Sequence, residues 1–169
     1  MRRLTFVGLL ILALASSETF SQSSDFLSIP ASAFTPRQVK DNLGGYDGNV
    51  TGTARTFTAN SFSMFAPVYL PHGASVRSLS CGGQDPSDKI RLEFTLRRNE
   101  PQQANVDMAT VSTSFEQTGF QFLSTTSILE PAINNRRFNY YVVAETKHFD
   151  VGFCPDCSVA FCTIGFTTP

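Results

Sequence analysis

The sequence predicts an all-β chain folded as a single antiparallel β-sandwich, jelly-roll-like, with about eight strands. Three observations lead there. Ile90, Leu92, Phe94 and Leu96 alternate strictly with Arg91, Glu93, Thr95 and Arg97. This is the period of a half-buried strand, and a helix would scatter those apolar residues around its circumference. From Ile29 onward, short apolar runs are broken by Gly, Pro, Asn and Asp, the residues that punctuate turns. Long helical periodicity is missing throughout.

The elements follow in chain order. Met1-Arg2-Arg3 is a short basic start, and Leu4 to Ala15 is an uncharged apolar run. Polar residues Ser16, Ser17, Glu18 and Thr19 follow at once. The pattern is that of a cleavable export signal. It is shorter than the roughly 20 apolar residues of a membrane-spanning helix, and no later stretch is long enough to span. Cleavage after Ser21 gives the expected division: a signal over 1–21, a flexible lead-in over 22–28, and one domain over 29–169. The expected location is periplasmic or extracellular.

Val50 to Thr58 is Thr-rich and strand-like. Met64, Ala66, Val68 and Leu70 share one face of a run that ends at Pro71-His72-Gly73. Ser75 to Cys81 follows directly and is expected to pair with that run as a hairpin. Val106 to Ser112 alternates more weakly, and Phe120 and Phe122 open a further run ending before Pro131. Pro131 to Arg137 admits a short helical turn. Phe138, Tyr140, Val142 and Ala144 share a face of a long aromatic strand. Ser158 to Phe166 is apolar on both faces and reads as a central strand.

Two of these segments carry a resemblance. One is the run Phe65-Ala66-Pro67-Val68-Tyr69-Leu70-Pro71-His72-Gly73-Ala74-Ser75-Val76. The other is Asn134-Asn135 leading into Phe138-Asn139-Tyr140-Tyr141-Val142. With the opening Ile29-Pro30-Ala31 to Phe34, they resemble a group of secreted bacterial β-sandwich proteins of unassigned function. That group pairs a Leu-Pro-His-Gly-Ala hairpin with an Asn-Asn…Tyr-Tyr strand. The resemblance implies a sandwich and a bacterial exported protein. It implies no catalytic residue.

Charge narrows the partners. Of 13 basic and 14 acidic residues, removing Arg2, Arg3 and Glu18 with the signal leaves 11 against 13. A near-neutral surface lacks the concentrated basic face that nucleic acid requires. The pairs Arg97-Arg98 and Arg136-Arg137 are too short to form one.

Four cysteines, Cys81, Cys154, Cys157 and Cys162, suit disulfides in an exported chain. Cys154 and Cys157 flank Pro155-Asp156 and can close a turn, leaving Cys81 and Cys162 to join distant strands. Pairing of Cys81 with Cys154 or Cys157 stays open. The alternative is a structural zinc site from His148, Cys154, Cys157 and Cys162, a tetrahedral set of one nitrogen and three sulfurs. Cys154-Pro155-Asp156-Cys157 also has the spacing of a redox dithiol, but its flanks are strands rather than a helix N-terminus.

No Gly-x-Ser-x-Gly elbow and no His-Glu-x-x-His appears. His72 reads as a turn residue and His148 as a strand end. Glu93, Glu100, Glu116, Glu130 and Glu145 are scattered, and nothing selects two of them as a glycosidase pair. Asp41, Asp47 and Asn49 lie in an oxygen-rich, Gly-rich loop of the kind calcium prefers. Gln84, Asp85 and Asp88 form a weaker cluster. Asn49-Val50-Thr51 is a glycosylation sequon. Tyr46, Tyr69 and Tyr141 are the aromatic residues available for stacking on a sugar, and no Trp assists them. Tyr140 and Tyr141 must point to opposite faces of one strand.

The sequence therefore leads to a non-catalytic secreted sandwich that serves as a surface, structural or interaction module. The alternatives are a carbohydrate-binding module, calcium-assisted at Asp41 to Asn49, with a glycan or cell-surface partner, and a small secreted hydrolase.

Overall fold

The structure is a computed structural model that describes residues 23–36, 46–48, 54–56, 63–100, 103–148 and 157–169. It is an antiparallel β-sandwich, with eleven strands among the described residues: β1 (Ser24–Pro30), β2 (Thr35–Pro36), β3 (Tyr46–Gly48), β4 (Ala54–Thr56), β5 (Ser63–Val68), β6 (Ser75–Asp85), β7 (Ile90–Asn99), β8 (Val106–Ser112), β9 (Gly119–Thr125), β10 (Asn139–His148) and β11 (Ser158–Thr167). One sheet has the order β3-β4-β11-β6-β9, with β1 also paired to β11. The other has the order β2-β5-β10-β7-β8. The three extra strands relative to the sequence reading are short pieces or lie in expected loops. Among the described residues no helix is long and apolar enough to cross a membrane. The expected signal over 1–21 lies outside the described residues.

Alternation builds the five-stranded sheet. On its inner face, Val111, Phe94, Ala144 and Met64 stand side by side across β8, β7, β10 and β5. The next inner row is Ala109, Leu96, Val142 and Ala66. Large residues alternate with small ones, so the facing sheet can interdigitate without voids. Leu79, Cys81, Cys162 and Ile164 complete the buried core from the other sheet, and Phe34, just before β2, is fully buried with them. A bulge at Leu96/Arg97 skips Met108 in the β7–β8 register. Met108 turns into the core, and its carbonyl accepts the Leu129 N–H at 2.7 Å.

Two expectations are corrected. Residues 24–28 are not a loose lead-in. They belong to β1, which runs antiparallel to β11 from Ser24↔Thr167 to Pro30↔Phe161. The strand forms because β11 would otherwise leave a row of backbone groups unpaired along that edge. The Pro71-His72-Gly73 turn does not close a hairpin either. It carries the chain from β5 in one sheet to β6 in the other. Gly73 takes a positive φ of 83° and donates its N–H to the Ile133 carbonyl, while the Val76 N–H goes to Pro131. These bonds commit the turn to segment 131–133 instead of to a hairpin ladder. Pro131 to Arg137 holds a simple turn, in which Asn134 accepts the N–H groups of Arg137 and Phe138.

On the outer face of the six-stranded sheet, Gly82 leaves a gap between aromatic rings. A Cβ there would come within 2.8 Å of Phe161 and 2.9 Å of Phe120. Phe122 lies 5.9 Å from Phe161, centroid to centroid. Phe26, Phe120 and Phe122 are each more than half exposed.

Cys81 and Cys162 are directly opposite in the β6–β11 register and form a disulfide across 81 residues of chain. Both are fully buried. Cys157 is disulfide-bonded as well, and Cys154 lies outside the described residues. Cys162 is thereby removed from the zinc set drawn from the sequence, because its sulfur is already bonded. Replacing both Cys81 and Cys162 by Ala releases a long loop in the unfolded state. The expected loss is about 2–4 kcal/mol of unfolding free energy, measured by denaturant titration without reductant. An unchanged midpoint would show that β6 and β11 are held by the ladder alone.

Candidate functional site

The outer face of the five-stranded sheet is arranged in rows. One row is Thr110, Thr95, Val143, Phe65 and Thr35. The next is Asp107, Arg97, Tyr141 and Pro67, and beyond it Asn99 faces Asn139. A pocket of about 440 Å³ opens on these rows. Phe65, Pro67, Tyr141 and Val143 supply its apolar side; Arg97, Asn99, Asn105 and Asn139 supply its polar side.

The backbone explains why Tyr141 is available. Tyr140 and Tyr141 are consecutive in β10, so their side chains take opposite faces. Tyr140 is buried, and its hydroxyl accepts the Asn134 N–H at 2.8 Å. Tyr141 is half-buried on the outer face. The Asn134-Asn135 turn is fastened further: the Asn135 N–H donates to His72 Nδ1 at 3.2 Å, and its Nδ2 donates to the Leu70 carbonyl at 2.8 Å. The Leu-Pro-His-Gly turn and the Asn-Asn turn are thus one joint beneath the end of β10. His72 is used there as a structural acceptor.

Charges run in a line beside the pocket. Arg97 donates from Nε and Nη2 to the two carboxylate oxygens of Asp107. Its Nη1 lies 3.9 Å from Glu145. Glu145 accepts from Ser63 at 3.2 Å and from Lys147 at 2.8 Å. Lys147 also lies 3.6 Å from Glu93, and Glu93 pairs with Arg91 at 3.4 Å. Asp107 raises the Arg97 pKa by its hydrogen bond. Burial pushes Glu145 up, but the hydrogen bond and charge of Lys147, the Ser63 hydroxyl and Arg97 together hold it below the usual carboxylate range.

This arrangement suits binding better than acid catalysis. Glu93 and Glu145 face each other in the β7–β10 register, so the sheet brings together two of the scattered carboxylates. Both are ion-paired, and Glu145 is shifted away from the raised value a general acid needs at neutral pH. Elsewhere, Glu130 pairs with Arg98 and Glu100 with Arg137.

Of the aromatic residues singled out in the sequence, Tyr141 lies in the pocket. Tyr69 is 83% exposed and stands outside the lining. Tyr46 pairs with Thr56 through β3, and its side chain is not among those described. Of the proposed calcium ligands, Asp41 and Asn49 lie outside the described residues, and only the backbone of Asp47, paired with Arg55, is described. Among the described residues no cluster of three metal-ligating side chains occurs. Asp85 is buried and is bonded by the Thr113 hydroxyl at 2.6 Å and the Ser87 N–H at 3.1 Å, a structural role. Sequence reading missed Arg97, Asn99, Asn105 and Asn139. Alternation placed Arg97 on the polar face, but the pairing of β5, β10 and β7 that gathers these residues is tertiary.

No family model matches the chain, and no curated protein matches its sequence. Solved structures do match its fold. The CBM36-1 domain of a multidomain xylanase from the hindgut metagenome of Trinervitermes trinervoides aligns with a TM-score of 0.50 at 10% identity, covering 83% of this chain and 96% of that one. The CBM35 of Cellvibrio japonicus Abf62 aligns with a TM-score of 0.45 at 13% identity, covering 86% and 99%. TmCBM61, solved with beta-1,4-galactotriose, aligns with a TM-score of 0.39 at 14% identity, covering 84% and 88%. At these identities the likeness is one of fold alone: a β-sandwich similar to that of the CBM36-1 domain.

The ion pairs of Glu145 generate a pH test. Its native pKa is depressed, so its stabilisation is full above the ordinary value of 4.5 and is lost as pH falls through the lower native value. Denaturation of wild type and Glu145→Gln across this range should show wild type more stable at neutral pH, with the gap closing on acidification. A gap independent of pH would mean that Glu145 acts through packing, not through its charge.

Proposed function

We propose that this chain is an exported, non-catalytic glycan-binding module whose ligand stacks on Tyr141. The observation that carries this reading is the pocket itself. A partly buried aromatic ring lies beside three amide side chains in a cavity of about 440 Å³. A pyranose ring has one apolar face of C–H groups and a rim of hydroxyls. The ring of Tyr141 meets the first, and amides meet the second, since each offers both a donor and an acceptor. A rigid aromatic side chain on a strand is ordered before the ligand arrives, which lowers the entropic cost of binding.

The fold of the CBM36-1 domain agrees with this reading, as does the disulfide with export. The export signal over 1–21 and the bacterial resemblance belong to the same proposal. The two motifs of that resemblance are partners in one joint, where His72 and Leu70 bond Asn135. The site needs no metal in this reading; calcium at Asp41, Asp47 and Asn49 is a separate variable, tested by adding a chelator.

Titration calorimetry against soluble oligosaccharides, with and without chelator, tests the proposal. Tyr141→Ala should weaken binding at least about tenfold, the effect of removing a central aromatic anchor. Tyr69→Ala should leave it unchanged. Loss of binding on Tyr69→Ala with Tyr141→Ala silent would move the site off this face.

A further inference from the structure

The charge arrangement around Arg97 bears on which glycans the pocket takes. Among the described residues that line it, Arg97 is the one that carries a charge. A guanidinium facing a sugar pocket is the usual means of holding a uronate, through paired N–H···O bonds to the carboxylate. Here the Nε–Nη2 fork, the edge that would grip a carboxylate in two places, is already engaged, and the remaining Nη1 edge faces a carboxylate. Nε and Nη2 are given to Asp107, and Nη1 faces Glu145. Arg97 is mostly buried, with 18% of its side chain exposed.

The next groups along the face close the circuit. Lys147 is held between Glu145 and Glu93, and Arg91 pairs with Glu93. Three cations (Arg91, Arg97, Lys147) thus stand against three carboxylates (Glu93, Asp107, Glu145), and the line is neutral as a whole. Among the described residues of this face, a ligand carboxylate entering beside Tyr141 would meet cations that already face carboxylates. It would approach Asp107 and Glu145, the two carboxylates paired with Arg97, and like charges brought together across an interface disfavour the wrong partner. The remaining polar lining, Asn99, Asn105 and Asn139, is uncharged and matches hydroxyls.

Resting on the glycan-binding reading above, we infer that the Tyr141 pocket selects neutral glycans and excludes uronates, and that Asp107 sets this selectivity by occupying Arg97. Asp107 is a specificity-determining residue here: it lies on the edge strand β8, is half exposed, and acts on the ligand through Arg97.

The experiment uses the full secreted chain and two matched panels: uronate-containing oligosaccharides, and the same oligosaccharides after reduction of their carboxyl groups, each titrated by calorimetry. Wild type should prefer the reduced, neutral form by at least about tenfold. Asp107→Asn keeps a side chain of the same size and frees the guanidinium. It should raise the ratio of uronate to neutral affinity by about tenfold. Glu145→Gln should move selectivity in the same direction to a smaller extent, since it lies farther from Arg97. A wild type that prefers the uronate form overturns the inference, as does an Asp107→Asn variant with an unchanged ratio. Binding of neither panel, nor of other neutral oligosaccharides, overturns the glycan reading itself and this inference with it.

Discussion

The register of β10 between β5 and β7 is the constraint on which the rest depends. It fixes Tyr141 opposite Pro67 on one side and Arg97 on the other, and it sets Val142 between Ala66 and Leu96. A slip of one residue would exchange the two faces, sending Tyr141 inward and Val142 to solvent. The inner row cannot accept that change, because Phe94 and Met64 already fill the space beside Ala144. The core therefore specifies the register, and the register specifies the outer surface. Tyr140 reinforces it by taking the Asn134 N–H, which ties the start of the strand to the turn before it.

The same register aligns the charges. Glu145 opposite Glu93 would be an unfavourable like-charge pair if nothing stood near it. Lys147, two residues along the same strand, reaches both carboxylates, and Arg97 approaches Glu145 from β7. Individual surface pairs of this kind contribute at most about 1 kcal/mol each. Their larger effect is on order. They hold long side chains against the sheet beside the pocket, so the polar wall keeps one shape. Arg98 behaves alike on the adjoining side: it pairs with Glu130 and lies over the Phe138 ring at 4.3 Å.

Much of this fold was legible in the sequence, and for identifiable reasons. Ile90 to Arg97 alternates because one face is in the core and the other in water, and the structure places it as β7. The apolar run from Ser158 is central because it has neighbours on both edges. The joining of Cys81 to Cys162 was one of the pairings the sequence left open, and the β6–β11 register decides it. Other features depended on distant partners. Residues 24–28 look like a polar lead-in, with Ser24, Asp25 and Ser28 among them, and they order only because β11 offers an edge. The turn at Gly73 carries hairpin chemistry, yet segment 131–133 captures its backbone. Of the site, the alternation argument reached Tyr141. Asn99, Asn105 and Asn139 are ordinary turn and strand-end residues until three strands bring them to one rim.

β1 lies beside β11 along the whole of its own length, and the hydroxyls of Ser23 and Thr168, just beyond the two strands, approach to 3.4 Å. The described polypeptide thus enters and leaves at one place, in the sheet that faces away from the Tyr141 pocket. A short linker joining those two points would make the fold continuous, and the chain could then be opened at a different loop with every strand neighbour retained. For the same reason, anything tethered at either point is attached to the sheet opposite the Tyr141 pocket, and copies strung in series would leave that pocket unobstructed.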